Sequence, residues 1–294
     1  MRYFTGPWPQ GKRGAVCLSF DCDFAYAYTR APRGAVNPPD GSDLINKRPR
    51  SLSGYSRGLY GLHVGLPRIL DFLAREGLPA TFFVPSANIE RYPSVFQSIQ
   101  RAGHELAAHG HEHENLAELR DDPAAEAAIL QASLTSFRRH LAIAPAGYRS
   151  PAWDMNAHSP KLLQQAGFLY DSSLFAGEAP YSMEVYDPSV SVLELPIDWA
   201  LDDAAYYLFL KPPASMAQYH DPDEVARIWQ AELDGIVGHG GVFTLTCHPS
   251  VIGRHHRMAI LAALVAHARL RGDVWFARMA EVAAHVRQGW QAAA

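Results

Sequence analysis

The chain has 294 residues, with 26 Lys and Arg against 30 Asp and Glu and a net charge of -4 at pH 7. This balance, without any dense basic run, excludes the positively charged surface with which proteins bind nucleic acids or anionic membranes. The longest apolar run, residues 258–266, is too short to span a bilayer, and the N-terminus lacks the apolar core of a signal peptide. We therefore expect a soluble, cytoplasmic protein with a small or neutral partner, and reduced thiols at Cys17, Cys22 and Cys247.

Strand-like and helix-like segments alternate along the chain. The predicted strands are residues 15–20, 80–84, 104–109, 146–149, 168–171, 192–197, 242–247 and 274–277. The predicted helices are residues 66–76, 93–102, 123–141, 159–167, 221–237 and 258–270. This alternation predicts a parallel sheet in a single α/β domain over residues 1–294, and the number of repeated units favours a closed barrel over an open doubly wound sheet.

One long segment, residues 28–61, interrupts the alternation. It is rich in Gly, Pro and Arg and has no clear apolar period. A loop of this length inside a compact domain is usually functional or part of an interface. We expect it to be irregular and either to cover the functional site or to pack on a neighbouring subunit, in a homo-oligomer that is a dimer or a tetramer.

Polar side chains follow five of the predicted strands at their carboxyl ends, where barrel enzymes carry their chemistry. They are three histidines, three carboxylates and one arginine: Asp21, Asp23, His109, His113, Arg149, Asp198 and His248. Unrelated surface turns would more often carry Asn, Gly, Ser and Lys. The sequence therefore predicts an active site at this rim.

The sequence HGHEH indicates a metal site within that rim. His109 and His113 are four residues apart, so one turn can present both imidazoles to the same ion. Taken alone, such a turn is more often a solvated loop in a chain with 14 His. A carboxylate from Asp21 or Asp23 would complete a facial triad that leaves positions open for water and substrate, and the other would serve as general base.

Arg149 and His248 fit two further roles in the same chemistry. The guanidinium could hold the base ionised, and the imidazole could protonate a departing amine. Each has a simpler interpretation, a surface salt bridge for Arg149 and a satisfied core histidine for His248. The functional interpretation gains weight because both follow strands of the same predicted barrel.

These motifs resemble those of the polysaccharide deacetylases of carbohydrate esterase family 4. SFDCD is similar to the family's aspartate motif, HGHEH to its histidine motif, RSPAW to its arginine motif and LTCHP to its final histidine motif. The resemblance implies a distorted (β/α)7-type barrel. It also implies one divalent metal, with zinc as the default and cobalt, iron, nickel or manganese as alternatives.

The resemblance also implies a role for individual residues. Asp21 would be the catalytic base, Arg149 would orient it, and His248 would be the catalytic acid. The metal ligands would be Asp23, His109 and His113, and the pocket wall would include Pro151 and Trp153. The carboxylate that supports His248 would be Asp198, with Asp202 and Asp203 as alternatives.

Two departures from the commonest family pattern bear on the substrate. Cys22 separates the two aspartates, and the arginine motif reads RSPAW. Both variations resemble a cytoplasmic subgroup that includes peptidoglycan deacetylases and also metal-independent hydrolases of cyclic imides and ureides, such as allantoinases. The predicted function is metal-dependent deacetylation of an N-acetylated sugar or polysaccharide. The alternatives are hydrolysis of a cyclic imide or ureide and a non-catalytic carbohydrate-binding barrel.

Overall fold

The computed structural model describes residues 2–24, 52–207 and 220–292. The strands in these ranges are β1 Gly14–Asp21, β2 Thr81–Val84, β3 Glu105–Ala108, β4 Gly147–Tyr148, β5 Tyr170–Asp171, β6 Tyr181–Ser182, β7 Leu193–Glu194, β8 Val242–Cys247 and β9 Val274–Phe276. The helices are α1 Leu52–Tyr60, α2 Leu66–Glu76, α3 Ser86–Arg91, α4 Pro93–Arg101, α5 Pro123–Leu141, α6 Ser159–Ala166, α7 Asp203–Tyr207, α8 Pro222–Gly238, α9 His255–Arg271 and α10 Met279–Ala292.

The strands form one sheet in the order β6-β7-β5-β4-β3-β2-β1-β8. Its pairings are parallel except for β6 with β7. One edge of β1 pairs with β8, while β9 and β2 share the other edge, β9 at the start of β1 and β2 at its end. Beyond β7 the chain returns to β8 through a single parallel bridge between Asp202 and Thr246. This curled sheet confirms the distorted (β/α)7-type barrel that the resemblance implied.

Local sequence explains why the main elements form where they do. Every residue of β1 is buried, as expected for an apolar run covered on both faces of a parallel sheet. Helix α2 buries Leu66, Ile69 and Leu73 on one side and ends at Gly77, whose φ of 60° is favourable for glycine. Asp122 accepts a hydrogen bond from the backbone N–H of Ala125 and so caps α5.

The expectation of an irregular loop over residues 28–61 was wrong at its C-terminal end. Leu52–Tyr60 is helix α1, and a π-helical turn, Gly61–Gly65, continues it into α2. The rest of that segment lies outside the described residues. Glycines obscured this helix in the sequence, but Gly61 and Gly65 let the turn pack directly against the backbone of Ser250 and Pro249.

Helices α3, α7 and α10 and strand β6, most of them short, were not predicted from the sequence. The three cysteines are free and buried, as expected for reduced thiols in the core. Across the described ranges, no helix is both long and apolar enough to cross a membrane.

Candidate active site

Six of the predicted site residues meet at the carboxyl rim of the sheet: Asp21, Asp23, His109, His113, Arg149 and His248. They come from the ends of strands β1, β3, β4 and β8 and from the turns that follow. Each lies within 4 Å of at least one other member of the set. The strand-end pattern in the sequence therefore predicted a real cluster, which places acids, imidazoles and a guanidinium around one point.

One carboxylate and two imidazoles form a group that fits a metal ion. Asp23 Oδ2 lies 3.1 Å from His113 Nε2, and Asp23 Oδ1 lies 3.4 Å from His109 Nε2. The three candidate ligand atoms lie within 4.8 Å of one another. Asp23 Oδ1 is buried and receives no hydrogen bond from any described residue, so an acceptor is left over for a cation. Burial tends to raise the pKa of Asp23, but His113 and His109 hold it well below its usual range.

The turn after β3 orients both imidazoles. His109 Nδ1 donates to the backbone carbonyl of Arg149 over 2.8 Å, which leaves Nε2 facing Asp23. Within the turn, the carboxylate of Glu114 accepts from the backbone N–H groups of residues 111 and 112. His113 has a φ of 59°, a strained conformation for a residue with a Cβ and one that is common at functional sites.

His111, between the two proposed ligands, does not join them. Its Nδ1 lies 2.8 Å from Ser86 Oγ, at the start of α3. The ring is therefore engaged with α3 and not with the candidate metal group.

Asp21 and Arg149 form a buried ion pair beside the metal group. Arg149 Nη1 donates to Asp21 Oδ1 over 2.7 Å and to Ser19 Oγ over 2.9 Å. The guanidinium is fully buried and also stacks over the ring of Phe83 at 4.0 Å. Arg149 does not bind Asp21 Oδ2, which lies 3.9 Å from His109 Nε2 and so faces the point where the three candidate ligand atoms meet.

His248 lies across the site from Asp21, held by two buried acids. Its Nδ1 donates to Asp203 Oδ1 over 2.8 Å, while Asp202 Oδ1 lies 3.6 Å away. The other nitrogen, Nε2, is 3.5 Å from Asp23 Oδ2 and points into the site. Burial lowers the pKa of His248, but Asp202 and Asp203 outweigh it and raise the pKa well above its usual value. The imidazole of His248 can therefore be protonated at neutral pH.

Asp198, expected to support His248, does not reach it. It is exposed and accepts a hydrogen bond from the backbone N–H of Ala200 over 2.6 Å, which caps a short helical turn. Asp203, one of the two alternatives, occupies the position beside His248. The bridge between Asp202 and Thr246 brings the chain alongside β8, and α7 begins there, a placement that the sequence pattern did not indicate.

The predicted pocket-wall residues lie on the strained turn that follows β4. Ala152 and Trp153 have φ values of 55° and 56°. The ring of Trp153 lies 4.2 Å from that of Trp199, and the two aromatic residues beyond it, Trp199 and Phe175, remain 43% and 44% exposed. Pro151 instead packs next to Gly110 in the histidine turn. A Cβ added at Gly110 would lie only 3.1 Å from Cγ of Pro151.

Two residues that fix the position of Arg149 and its neighbour Ser150 by hydrogen bonds, Ser172 and Ser173, were not predicted from the sequence. Arg149 Nε donates to the backbone carbonyl of Ser172, and its Nη2 donates to Ser172 Oγ, both over 3.0 Å. Ser173 Oγ accepts from the backbone N–H of Ser150 over 2.8 Å. Both serines directly follow β5, so the rule that polar residues at strand ends form the site would have found them if it had been applied to that strand.

Comparison with known proteins points to a single family. A sequence model described as polysaccharide deacetylase matches residues 60–170. The peptidoglycan deacetylase of Helicobacter pylori is 28% identical over 252 residues, which cover 78% of this chain and 85% of that protein. The crystal structure of a putative polysaccharide deacetylase from Mycobacterium smegmatis is 36% identical, with a TM-score of 0.83 over 98% of this chain and 96% of that one.

The same fold occurs in a protein with a different named activity. The crystal structure of the allantoinase PuuE superposes with a TM-score of 0.78 over 96% of this chain and 94% of that one. Its sequence is 21% identical, so this similarity concerns the fold alone.

Proposed function

The chain belongs to the polysaccharide deacetylase family and is a hydrolase that acts on carbon–nitrogen bonds, and from this premise we propose that it releases acetate from an N-acetylated sugar or sugar polymer. The observation that carries the proposal is the convergence of a buried base, a metal-ligand group and a supported acid at one rim. The peptidoglycan deacetylase name of the Helicobacter pylori relative supports a glycan as the substrate class.

We propose Asp23, His109 and His113 as the ligands of a divalent metal. Asp23 Oδ1, which accepts no hydrogen bond from the part of the chain that the structure describes, and the two converging imidazole nitrogens are the ligand atoms that such an ion prefers. A bound metal would polarise the acetamide carbonyl and lower the pKa of a water molecule, with zinc as the default and cobalt, iron, nickel or manganese also suited to these ligands.

Asp21 is the proposed general base. Arg149 binds its Oδ1, so Oδ2 is the atom left to take a proton from the attacking water. The water oxygen then bonds to the acetyl carbon to give a tetrahedral intermediate, and the carbon–nitrogen bond breaks when this intermediate collapses and the amine is protonated. Arg149 fixes the carboxylate in position throughout, because its Nε, Nη1 and Nη2 atoms all donate to buried oxygens.

His248 is the proposed general acid. Asp203 binds Nδ1, so the proton for the departing amine comes from Nε2, the nitrogen that faces the site. Donation of that proton releases the amine of the sugar and leaves acetate. Trp153, with the exposed rings of Trp199 and Phe175, supplies an apolar wall on which a sugar ring can stack.

Two variants separate the roles of base and ligand. We expect Asp21→Asn to keep its bound metal but to lose turnover by about 10²-fold or more, since a general base contributes rate and not metal affinity. His113→Ala should lose the metal together with the activity. Metal content by elemental analysis and turnover of N-acetylglucosamine oligomers measure both, and normal activity in Asp21→Asn would refute the base assignment.

A substrate panel tests the reaction class itself. Purified enzyme is assayed with N-acetylglucosamine oligomers, cyclic imides and allantoin, each with and without a chelator. The proposal predicts release of acetate from the oligomers alone, abolished by the chelator. Ring opening of an imide or of allantoin that survives chelation would instead establish the cyclic amide hydrolase, and binding of the oligomers without hydrolysis of any of these compounds would establish a non-catalytic barrel.

A further inference from the structure

Two buried acids outside the proposed catalytic set lie beneath Arg149. Asp171 ends β5 and Glu194 ends β7, and the two residues are register partners on adjacent parallel strands. Both are fully buried. Asp171 Oδ1 accepts from Ser173 Oγ over 2.9 Å, and Glu194 Oε1 accepts from the backbone N–H groups of Ser173 and Leu174, both over 3.0 Å.

The second oxygen of each acid is left without a donor. Asp171 Oδ2 and Glu194 Oε2 are buried and receive no hydrogen bond from any residue that the structure describes. Because the two residues are register partners on adjacent strands, their carboxyl groups are neighbours and act directly on each other. Two buried carboxylates without a proton between them would repel, whereas one proton turns the contact into a strong hydrogen bond and satisfies both oxygens.

The surroundings of the pair agree with a single retained proton. Burial raises the pKa of Asp171 to about 6, and burial together with the charge of Asp171 raises the pKa of Glu194 well above its usual value. The other charged or titratable groups that face the pair are Arg149, Tyr148 and Tyr181. The guanidinium of Arg149 is ion-paired with Asp21 but is near enough to lower the pKa of Asp171. Both tyrosines are neutral because burial raises their pKa values.

We propose that Asp171 and Glu194 share one proton and that this acid pair positions Arg149. The pair binds the turn that follows β5 through hydrogen bonds from Ser173 and Leu174. Ser172, which lies between Asp171 and Ser173, accepts hydrogen bonds from the Arg149 guanidinium through both its carbonyl and its hydroxyl oxygen. The consequence for turnover rests on the proposed role of Arg149, whereas the shared proton does not depend on it.

The shared proton makes stability depend on pH in a defined direction. An ordinary Asp or Glu carboxyl has a pKa of about 4, so near neutral pH the unfolded chain releases the proton that the folded pair retains. Stability gained from this proton is therefore complete at low pH and is lost as the pH rises through the raised values of the folded pair. Urea unfolding of the wild type between about pH 5 and about pH 8 should show this loss.

Glu194→Gln is the decisive variant. The amide oxygen of the new Gln still accepts from the two backbone N–H groups, and its Nε2 is a permanent donor to Asp171. The net charge of the pair is one negative unit, as in the wild type with one shared proton. We expect the urea midpoint of this variant to equal or exceed that of the wild type near pH 8, with a flatter dependence on pH. Glu194→Leu leaves the backbone donors unpaired and should unfold at lower urea. The control is Glu184→Gln, which makes the same change of side chain at an exposed position and should keep the wild-type slope.

Two further readouts separate positioning from simple stability. Near pH 7 the infrared carbonyl band of protonated carboxyl groups should be weaker in Glu194→Gln than in the wild type. The band should not vanish, because burial raises the pKa of Asp202 to about 7 and Asp202 contributes to it in both proteins. With N-acetylglucosamine oligomers, Glu194→Leu should lower kcat by about 10²-fold with KM little changed, because Arg149 shifts, and Glu194→Gln should restore kcat.

Three outcomes would overturn parts of the inference. The same infrared band in Glu194→Gln as in the wild type, or an unchanged pH slope in that variant, would exclude the shared proton. A kcat in Glu194→Gln as low as in Glu194→Leu would exclude the positioning role. Absence of turnover in the wild type would count against the proposed function, while the unfolding and infrared measurements would still decide the proton.

Discussion

At the scale of single residues, the assignment of Asp203 over Asp198 can be tested directly. Asp203→Asn removes one of the two charges that hold the proton on His248, and the one that binds its Nδ1, so we expect kcat to fall by about 10²-fold with bound metal unchanged. Asp198→Asn is the matched control, because its carboxylate caps an exposed turn and should leave kcat near the wild-type value. Equal activity in the two variants would show that Asp203 does not support His248 as the general acid.

The sequence identified site residues only where they directly follow a predicted strand. Asp21, His109 and His248 were found because each follows a continuous apolar strand, and the structure brings them together. Asp203 was left among three candidates, since the short bridge that places it beside β8 has no periodic pattern of its own. A carboxylate whose position is set by a non-local contact cannot be selected by spacing along the chain.

At the scale of elements, the π-helical turn between α1 and α2 is a support for the loop that carries His248. A Cβ at Gly65 would lie 1.9 Å from the carbonyl oxygen of Pro249, so Gly65→Ala must push the two backbones apart. We expect a loss of about 1–3 kcal/mol in the free energy of unfolding, together with reduced turnover. Urea unfolding measures the first effect and the deacetylation assay the second.

Gly235→Ala provides the control for that substitution. Gly235 lies within α8, and nothing lies within 4 Å of an added Cβ, so alanine should stabilise the helix by about 1 kcal/mol. Wild-type stability in Gly65→Ala would show that the loop after β8 moves freely away from the turn.

The sequence predicted the long helices and strands more accurately than the short ones. The predicted ranges closely matched β8 and α2, because each has a strong and continuous apolar pattern. Helices α1 and α7 were missed, since glycines interrupt the first and the second is a single turn set by contacts with β8. The pattern therefore specified the barrel, while non-local packing determined the short connections that complete the rim.

At the scale of the whole molecule, metal binding should stabilise the fold. Asp23 is far in sequence from His109 and His113, so a shared ion would bind the folded chain and not the unfolded one. Such a ligand adds about 2.7 kcal/mol when present at 100 times its dissociation constant. Removal of the ion with a chelator should therefore lower the thermal midpoint, and addition of zinc should restore it.

His113→Ala distinguishes this effect from a general action of the chelator. Without one ligand the variant should start at the lower midpoint and respond to neither chelator nor zinc. Asp21→Asn, which keeps all three proposed ligands, should respond like the wild type. A midpoint that chelation leaves unchanged in the wild type, in protein that elemental analysis finds free of metal, would favour the cyclic amide hydrolase, because that reaction was expected to need no metal.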